Sequence, residues 1–355
     1  MIPVSLWASF DSRHSLVKAA FLVLGLVTFY GTVRHADSRE SLTRLVALYV
    51  ALGSSVALLG LMGTNWRAKI PVLMAIASSL PQAIRGLPGA PQGFDPNEVA
   101  GVVLWFLPLQ IALLSWLCKR GCAWTPKGVA LGCSTLLETA VLILTQSRGA
   151  WLSLACGLLL IGALVDRRVR VASILLCGSL LAAAAVRGPH AVASVLGAGA
   201  AERVIGELVW TDRIQIWRVA IQAIRDFPFT GMGLGTFRRV SRVLYALDVW
   251  PSYDIAHAHN GFLQAGVDFG LLGLVAYGAI WFLAGRLALS SFQRGQGTLR
   301  ALALGLGGCV ASSLMYNLTD TIALGARPGP AWWMMLGLAV ATARLAGSAL
   351  DREAQ

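Results

Sequence analysis

The chain has 355 residues, of which 56% are hydrophobic and only 13% are charged, and its mean hydropathy is +0.68. Soluble domains usually carry about 25% charged residues, so this composition excludes an ordinary soluble globular protein. The formal net charge of +12 could indicate nucleic-acid binding, but in a chain this apolar it indicates basic loops that orient membrane spans.

Apolar runs of spanning length recur along the chain and predict an all-α, polytopic transmembrane bundle of about ten spans. A helix satisfies its own backbone hydrogen bonds in lipid, and the sequence lacks the short alternating segments of a β-barrel. The first run is interpreted as an uncleaved span, because no A-x-A-like cleavage site follows it. The ten runs are roughly 16–33, 42–63, 70–84, 99–118, 127–146, 149–165, 170–186, 262–285, 299–318 and 331–347.

This pattern divides the chain into three parts. Residues 1–186 are predicted to hold transmembrane helices one to seven, residues 187–258 a large outer loop, and residues 259–355 the last three helices. With ten spans, the inner segments hold 15 Lys and Arg residues and the short outer segments hold 6, while the other 8 lie in the large loop. Because Lys and Arg in short loops concentrate on the cytoplasmic side, both termini are predicted to be cytoplasmic.

The large outer loop contains a predicted amphipathic helix, which begins near Thr211 and ends before Pro228. Arg218 and Arg225 lie seven residues apart and share a polar face, on which Arg225 is interpreted as an ordinary solvated arginine. The sequence "GMGLG" at 231–235 is interpreted as a glycine-rich turn, because no strand precedes it as a dinucleotide-binding loop requires. The apolar stripe predicted to be buried is Ile214, Trp217, Ile221 and Ile224.

Several polar residues lie at the predicted outer membrane edge. Arg148, in the turn between the fifth and sixth runs, is a functional candidate or a snorkelling arginine. His257 and His259 leave three interpretations open: a metal pair, a structural cap with Asn260, and a general base facing the outer compartment. A metal would need further ligands that no H-E-x-x-H or D-x-D motif supplies, and the six cysteines indicate neither a disulfide framework nor a zinc site. No metal is therefore predicted.

Five stretches follow one another along the chain: "GFDPNEVAGVVLWFLPL" (93–109), "SRGAWLSL" (147–154), "DRIQIW" (212–217), "FPFTGMGLGTF" (227–237) and "HAHNGFLQAGVDFGLLGL" (257–274). Taken together and in this order, they resemble the O-antigen ligase family, which shares a membrane region with some polysaccharide polymerases. The resemblance implies a glycosyltransferase with His259 as the proposed base and with Arg148 and Arg213 facing the diphosphate of the donor. His257, Asn260 and Arg218 complete the predicted site as supporting residues.

The same resemblance implies substrates and a location. The donor would be an undecaprenyl-diphosphate-linked glycan, and the acceptor lipid A–core or, in a polymerase of the same family, another glycan. The protein would be a multi-pass protein of the bacterial inner membrane whose active site faces the periplasm, among membrane lipids and without nucleic acid or a cofactor. A transporter or flippase is a further alternative, although it would require internal repeats or broken helices at mid-membrane.

The chemistry of such a transfer fits the predicted residues. A sugar diphosphate already has a good leaving group, so the catalyst must stabilise negative charge on the phosphates and remove a proton from the acceptor. Arginine binds phosphate oxygens with two parallel hydrogen bonds, and such stabilisation is often worth about 3 kcal/mol per donor. A general base contributes roughly 10²–10⁴-fold. These residues predict a metal-independent site in which arginines take the place of a divalent ion.

Overall fold

The computed structural model describes residues 1–66, 70–87, 90–187, 210–247 and 255–353, and it confirms the predicted all-α class. Within these ranges the backbone forms fourteen helices, with two isolated β-bridges and no strand. The helices are α1 (Ile2–Trp7), α2 (Ser12–His35), α3 (Arg39–Gly63), α4 (Pro71–Ser78), α5 (Pro96–Val103), α6 (Leu107–Lys119), α7 (Pro126–Leu144), α8 (Arg148–Val165), α9 (Arg167–Arg187), α10 (Trp210–Asp226), α11 (Phe237–Leu244), α12 (Gly261–Arg294), α13 (Gly297–Thr319) and α14 (Gly329–Glu353).

Seven helical segments in the described part of the chain are long and apolar enough to cross a membrane, so the predicted count of about ten is not confirmed. They are α2, α3, α5 with α6, α7, α8, α12 and α13. The runs 170–186 and 331–347 lie within α9 and α14, which have 21 and 25 residues but are not among the seven. The chain is accordingly a multi-pass membrane protein of helical bundle type.

The third predicted span is wrong. The run 70–84 forms only α4, whose eight residues measure about 12 Å against a hydrocarbon core of about 30 Å. Pro71 stands at the start of this helix, and the residues up to Pro81 have already left the helical conformation. A proline is tolerated in the first turn but cannot continue a helix, so the two prolines limit α4 to two turns.

Helices α2 and α14 run in the same direction, which overturns the prediction that both termini share one side. Gly25 of α2 packs against Trp333, near the start of α14, and Arg344 near its other end donates to the carbonyls of Val33 and Ala36 at 3.0 and 2.8 Å. The segment before α2 therefore lies at one end of the bundle, and the end of α14 lies at the other. The prediction failed because it counted the run 70–84 as a crossing, which reverses the side of every segment before that run relative to the segments after it.

Two hydrogen bonds place the N-terminal segment at the end where α12 begins and α13 ends, which we call the His259 end. The Ser5 hydroxyl donates to the Asp268 carbonyl at 2.8 Å, and the Ser15 hydroxyl donates to the Leu234 carbonyl at 2.7 Å. Asp11 also forms an ion pair with Arg239 of α11. Residues 1–18 and the described part of the large loop thus meet at the His259 end.

The basic residues still divide unequally once the helices are placed by the structure. The segments at the opposite end hold 14 Lys and Arg residues, the described short segments at the His259 end hold 5, and 8 lie in 187–258, while Arg67 and Lys69 lie outside the described residues. The fourteen at the opposite end are Arg34, Arg39, Arg44, Lys119, Arg120, Lys127, Arg167, Arg168, Arg170, Arg286, Arg294, Arg300, Arg344 and Arg352. The asymmetry has the same sign as before, although five of the described residues have changed sides, namely Arg13, Lys18, Arg34, Arg39 and Arg44.

The glycine-rich stretch 231–235 forms a turn that docks onto a kink in α12. Gly270 has a φ of 71° and divides α12 into two helical parts. At this kink the Leu271 amide donates to the Pro228 carbonyl and the Met232 amide to the Val267 carbonyl, both at 2.7 Å. A Cβ on Gly231 would lie 2.5 Å from the Val267 carbonyl oxygen, so this close approach requires glycine.

Helix α10 buries a different face from the one predicted. Ile221, at the centre of the predicted stripe, is 41% exposed. The buried face contains two alanines, and a Cβ on Gly266 of α12 would come within 2.6 Å of Ile224, which shows how closely the helices approach. Ile224 belongs to both faces, but the helix is rotated about its axis so that Ile216, Val219 and the two alanines are buried and Ile221 is exposed. The buried residues of α10 are Asp212, Ile216, Val219, Ala220, Ala223 and Ile224.

The predicted outer loop 187–258 is described only in part, because residues 188–209 and 248–254 lie outside the described ranges. Its helix α10 packs on α12 and forms a small core with the docked turn around Ile216, Met232 and Phe237. The main core lies between α3, α6, α12, α13 and α14. The described part of the loop is thus a packed element at the His259 end.

Candidate active site

Asn260 fixes the start of α12 and the position of the histidines before it. Its side-chain oxygen accepts from the amides of Phe262 and Leu263 at 3.0 and 3.1 Å, and its side-chain nitrogen donates to the Leu318 carbonyl at 3.2 Å. The first contacts form an N-cap, and the last ties the cap to the end of α13. His259 adopts a φ of 48°, a conformation uncommon for a residue other than glycine. The end of α13 is thereby held beside His259.

His259 pairs with Asp320, the first residue after α13. Its Nδ1 lies 3.1 Å from one carboxylate oxygen of Asp320, which also accepts from the Thr321 amide at 2.9 Å. A carboxylate at Nδ1 favours the tautomer with the proton on that nitrogen, and this leaves a lone pair on Nε2. The Nε2 atom is buried and has no hydrogen-bond partner among the described residues. The pair can therefore take a proton at Nε2, and Asp320 would stabilise the imidazolium formed.

Arg213, in the first turn of α10, approaches the same carboxylate from the other side. One of its terminal nitrogens lies 3.5 Å from the second carboxylate oxygen of Asp320, and its side chain is 19% exposed. Its Nε is buried without a hydrogen-bond partner in the described part of the chain. Burial raises the pKa of Asp320, but the charge and hydrogen bond of His259 and the charge of Arg213 outweigh it and hold this pKa below its usual range.

His257 packs against the His259 ring and does not form a hydrogen bond to Asp320. The ring centroids are 4.3 Å apart, and the His257 Nε2 lies 3.8 Å from Asp320, beyond hydrogen-bonding distance. Burial lowers the pKa of His257 to about 3, with the charges of His259, Lys18 and Arg213 acting in the same direction and Asp320 opposing them. His257 is therefore neutral at physiological pH, and its Nδ1 accepts from the His259 amide at 3.3 Å.

Asp320 adds a third possible metal ligand to the two histidines, for which the sequence indicated no further ligand. One ligand atom from each of His257, His259 and Asp320 lies within 4.8 Å of the others. Two imidazoles and a carboxylate are a set that transition metals accept. The Arg213 guanidinium next to the same carboxylate disfavours a metal ion there, because its own positive charge would repel the ion at short range.

Arg148 begins α8 beside the end of α13. A Cβ on its neighbour Gly149 would lie 3.4 Å from the Thr319 hydroxyl, and Thr319 directly precedes Asp320. The Arg148 side chain is exposed, as is that of Arg218 on α10. Of the predicted residues, the structure thus brings His257, His259 and Arg213 together around one carboxylate. It places Asn260 and the backbone of Arg148 next to them.

Two residues at this end were missed by the sequence interpretation. Asp320 is the only acidic residue between Asp268 and Asp351 and follows an apolar run directly, a signal that the search for short motifs overlooked. Lys18 belongs to the N-terminal part of the chain, which was predicted to begin on the cytoplasmic side, yet its Cγ would lie 3.2 Å from a Cβ on Gly235, and its charge acts on His257. It adds a second partly buried cation to the His259 end.

Comparison with known proteins finds a family match in the central part of the chain. Residues 133–278 match the model of a family described as O-Antigen ligase. The chain is also 30% identical over 156 residues to the exopolysaccharide production protein ExoQ of Rhizobium meliloti, a match that covers 41% of this chain and 35% of that protein. The chain thus spans about a third of the length of the curated relative it matches. The resemblance predicted from the sequence is confirmed over this region, which includes His259 and Arg213 but not Asp320.

Proposed function

We propose, from the premise that residues 133–278 carry the membrane region of the O-antigen ligase family, that the protein is a glycosyltransferase of the O-antigen ligase type. It transfers a glycan from an undecaprenyl-diphosphate-linked donor to lipid A–core at the periplasmic face of the bacterial inner membrane. The observation that carries this proposal is the pairing of His259 with Asp320, which leaves a buried Nε2 lone pair on an imidazole whose carboxylate partner also contacts the Arg213 guanidinium.

The proposed reaction is a single displacement at the anomeric carbon of the donor. The acceptor hydroxyl gives its proton to His259 Nε2, its oxygen forms the new glycosidic bond, and the bond from the anomeric carbon to phosphate breaks. Undecaprenyl diphosphate leaves with the bonding electrons, and Arg213 and Arg148 stabilise the charge that develops on it. Asp320 holds the imidazole in orientation and balances the charge of the imidazolium. His257 and Asn260 position the turn.

A second candidate function is polymerisation, with another lipid-linked glycan as the acceptor. The similarity to a protein named for exopolysaccharide production favours it, because a polysaccharide chain grows by the same displacement. The two functions differ only in the acceptor, so the residues proposed above serve both.

Transfer by the purified protein tests this proposal and its metal independence together. We expect product to form from lipid-linked glycan and one of two acceptors, lipid A–core or a second lipid-linked glycan, and to form equally in the presence of EDTA. Product with the second acceptor alone would support the polymerase. Loss of transfer in EDTA, restored by one divalent ion, would make His257, His259 and Asp320 metal ligands and would contradict the arginine mechanism.

Sidedness is a separate prediction. We expect the N-terminal segment and the large loop to face the periplasm and the turn between α6 and α7 to face the cytoplasm, because basic residues concentrate at the opposite end. In a variant without native cysteines, single cysteines at Ser12 and Val243 should react with an impermeant maleimide in cells with a permeabilised outer membrane. A cysteine at Trp124 should react only after the inner membrane is opened. Labelling of Ser12 and Val243 from opposite sides would contradict the fold, and labelling of both from the cytoplasm would contradict the proposed function.

A further inference from the structure

A cationic cavity lies at the end of the bundle opposite His259, far from the site described above. It has a volume of about 470 Å³, within the range of small-ligand pockets. It opens where the start of α3, the end of α6, the turn between α12 and α13 and the last part of α14 meet. Nothing in the proposed transfer reaction uses it.

Three arginines from separate parts of the chain converge on this cavity. Arg39 begins α3, Arg120 follows α6 over the ring of Trp116, and Arg294 ends α12. No Asp or Glu is among the described residues that line the cavity. Cytoplasmic orientation requires basic residues at this end of the bundle, but it does not require them to gather around one hollow. Gathered positive charges repel one another unless a bound anion neutralises them.

Neutral hydrogen-bond donors complete the polar side of the cavity. The hydroxyls of Thr43 and Thr298 line it together with the turn Gly295–Gly297, where α13 begins. Gln296 precedes this helix and makes no side-chain cap bond within the described chain. The Leu299 amide donates to the Gln296 carbonyl at 3.1 Å, so the two amides before it, of Gly297 and Thr298, keep their donors for another acceptor. A helix start of this kind adds to the attraction of the arginines for an anion.

The inner side of the cavity is apolar. Leu42, Leu299 and Leu302 are buried residues that line it, and Ala346 of α14 closes it. A free phosphate would contact the arginines and leave this surface unused. A phospholipid presents both chemistries, with a phosphodiester above and glycerol and acyl carbons below, at the depth where membrane helices end.

We propose that this cavity binds the headgroup of an anionic membrane phospholipid, with Arg39, Arg120 and Arg294 on the phosphodiester and the leucines against the glycerol and upper acyl chain. Basic pockets between transmembrane helices suit such headgroups. The proposal does not depend on the proposed transferase function, since it uses residues at the other end of the bundle.

Lipid binding by the purified full-length chain tests the proposal. Native mass spectrometry in mild detergent should show phosphatidylglycerol retained and phosphatidylcholine lost, and phosphatidylglycerol should raise the unfolding temperature. Glycerol phosphate and inorganic phosphate should do neither at the same concentration. Each of Arg39→Gln, Arg120→Gln and Arg294→Gln should weaken phosphatidylglycerol binding roughly tenfold, the effect of one lost charge-assisted contact.

Arg300→Gln and Arg44→Gln are matched controls at the same end of the bundle. Arg300 packs over Phe292 and Arg44 pairs with Glu40, and neither lines the cavity. Both variants should bind phosphatidylglycerol as the wild type does. Equal weakening by the controls would show a diffuse surface effect and overturn the proposal. Inorganic phosphate binding as strongly as phosphatidylglycerol would also overturn the proposal, because the cavity would then be a site for a free anion. Because the three arginines are exposed, single variants should fold, and their unfolding temperatures without lipid check this.

Discussion

His259→Ala is expected to lower the rate of glycan transfer by roughly 10²–10⁴-fold while leaving the affinity for the lipid-linked donor nearly unchanged. The imidazole is the group proposed to take the acceptor proton, and its buried Nε2 has no other partner among the described residues. The donor, in contrast, is held mainly through its diphosphate. The measurement compares donor dissociation constants with transfer rates at saturating donor in the two proteins.

His257→Ala is the matched control for this experiment. The two rings lie side by side, yet only His259 is within hydrogen-bonding distance of Asp320. His257→Ala should therefore retain measurable transfer. If His259→Ala lost donor binding and kept its rate at saturating donor, the residue would be a phosphate ligand, and the base would have to be another group.

Asp320→Asn extends the same prediction to the partner of His259. The amide keeps the shape of the carboxylate but favours the other tautomer of the imidazole, with the proton on Nε2, where the base must be free. Transfer should fall by about as much as in His259→Ala, and the double variant should be little worse than either single variant, because the two residues act as a unit. Additive losses would show that Asp320 works independently of His259.

The sequence was sufficient for the helical class and for naming several residues of the candidate site, because the relevant signals were local. Runs of apolar residues predict spans wherever they are long enough, and the glycines at 231–235 predict a turn from their own chemistry. His259 and Asn260 are adjacent in the chain, so the cap and the imidazole could be recognised together. The family match confirms the resemblance that these stretches predicted.

The failures have a common physical cause, since each depended on contacts between distant residues. Asp320 lies 61 residues after His259, and only the packing of α13 against α12 brings the two together. The buried face of α10 depends on its packing against α12 and the docked turn, which no property of α10 alone reveals. The side of Lys18 depended on whether the run 70–84 crosses the membrane, and two prolines decided that it does not.

Arg213→Ala is expected to reduce transfer by roughly 10²–10³-fold, the usual loss when one preorganised donor to a developing negative charge is removed. Arg213→Lys should fail nearly as severely, because an ammonium keeps the charge but cannot form two parallel hydrogen bonds to a phosphate. Arg148→Ala and Arg148→Lys should each lose transfer as the corresponding Arg213 variants do, because Arg148 is proposed to bind the same diphosphate. The measurement is the transfer rate at saturating donor, together with donor affinity and a check that each variant inserts into the membrane.

Arg225→Ala is the matched control, because Arg225 is an exposed arginine in the last turn of the same helix. It should transfer glycan at close to the wild-type rate. A fully active Arg148→Lys or Arg213→Lys would contradict the proposed paired hydrogen bonds to the diphosphate.

The contact between Arg213 and Asp320 gives Arg213 two possible roles. It could bind the diphosphate of the donor, or it could only orient the Asp320 carboxylate. A double-mutant cycle of Arg213→Lys with Asp320→Asn separates the two roles. If Arg213 binds the donor diphosphate, its loss should still weaken donor binding when Asp320 is already an asparagine. If Arg213 only orients Asp320, its replacement should cost nothing further in that background. We expect the first outcome, because the Arg213 Nε is a buried donor with no partner in the described chain, and its guanidinium is held by the carboxylate that pairs with the proposed base.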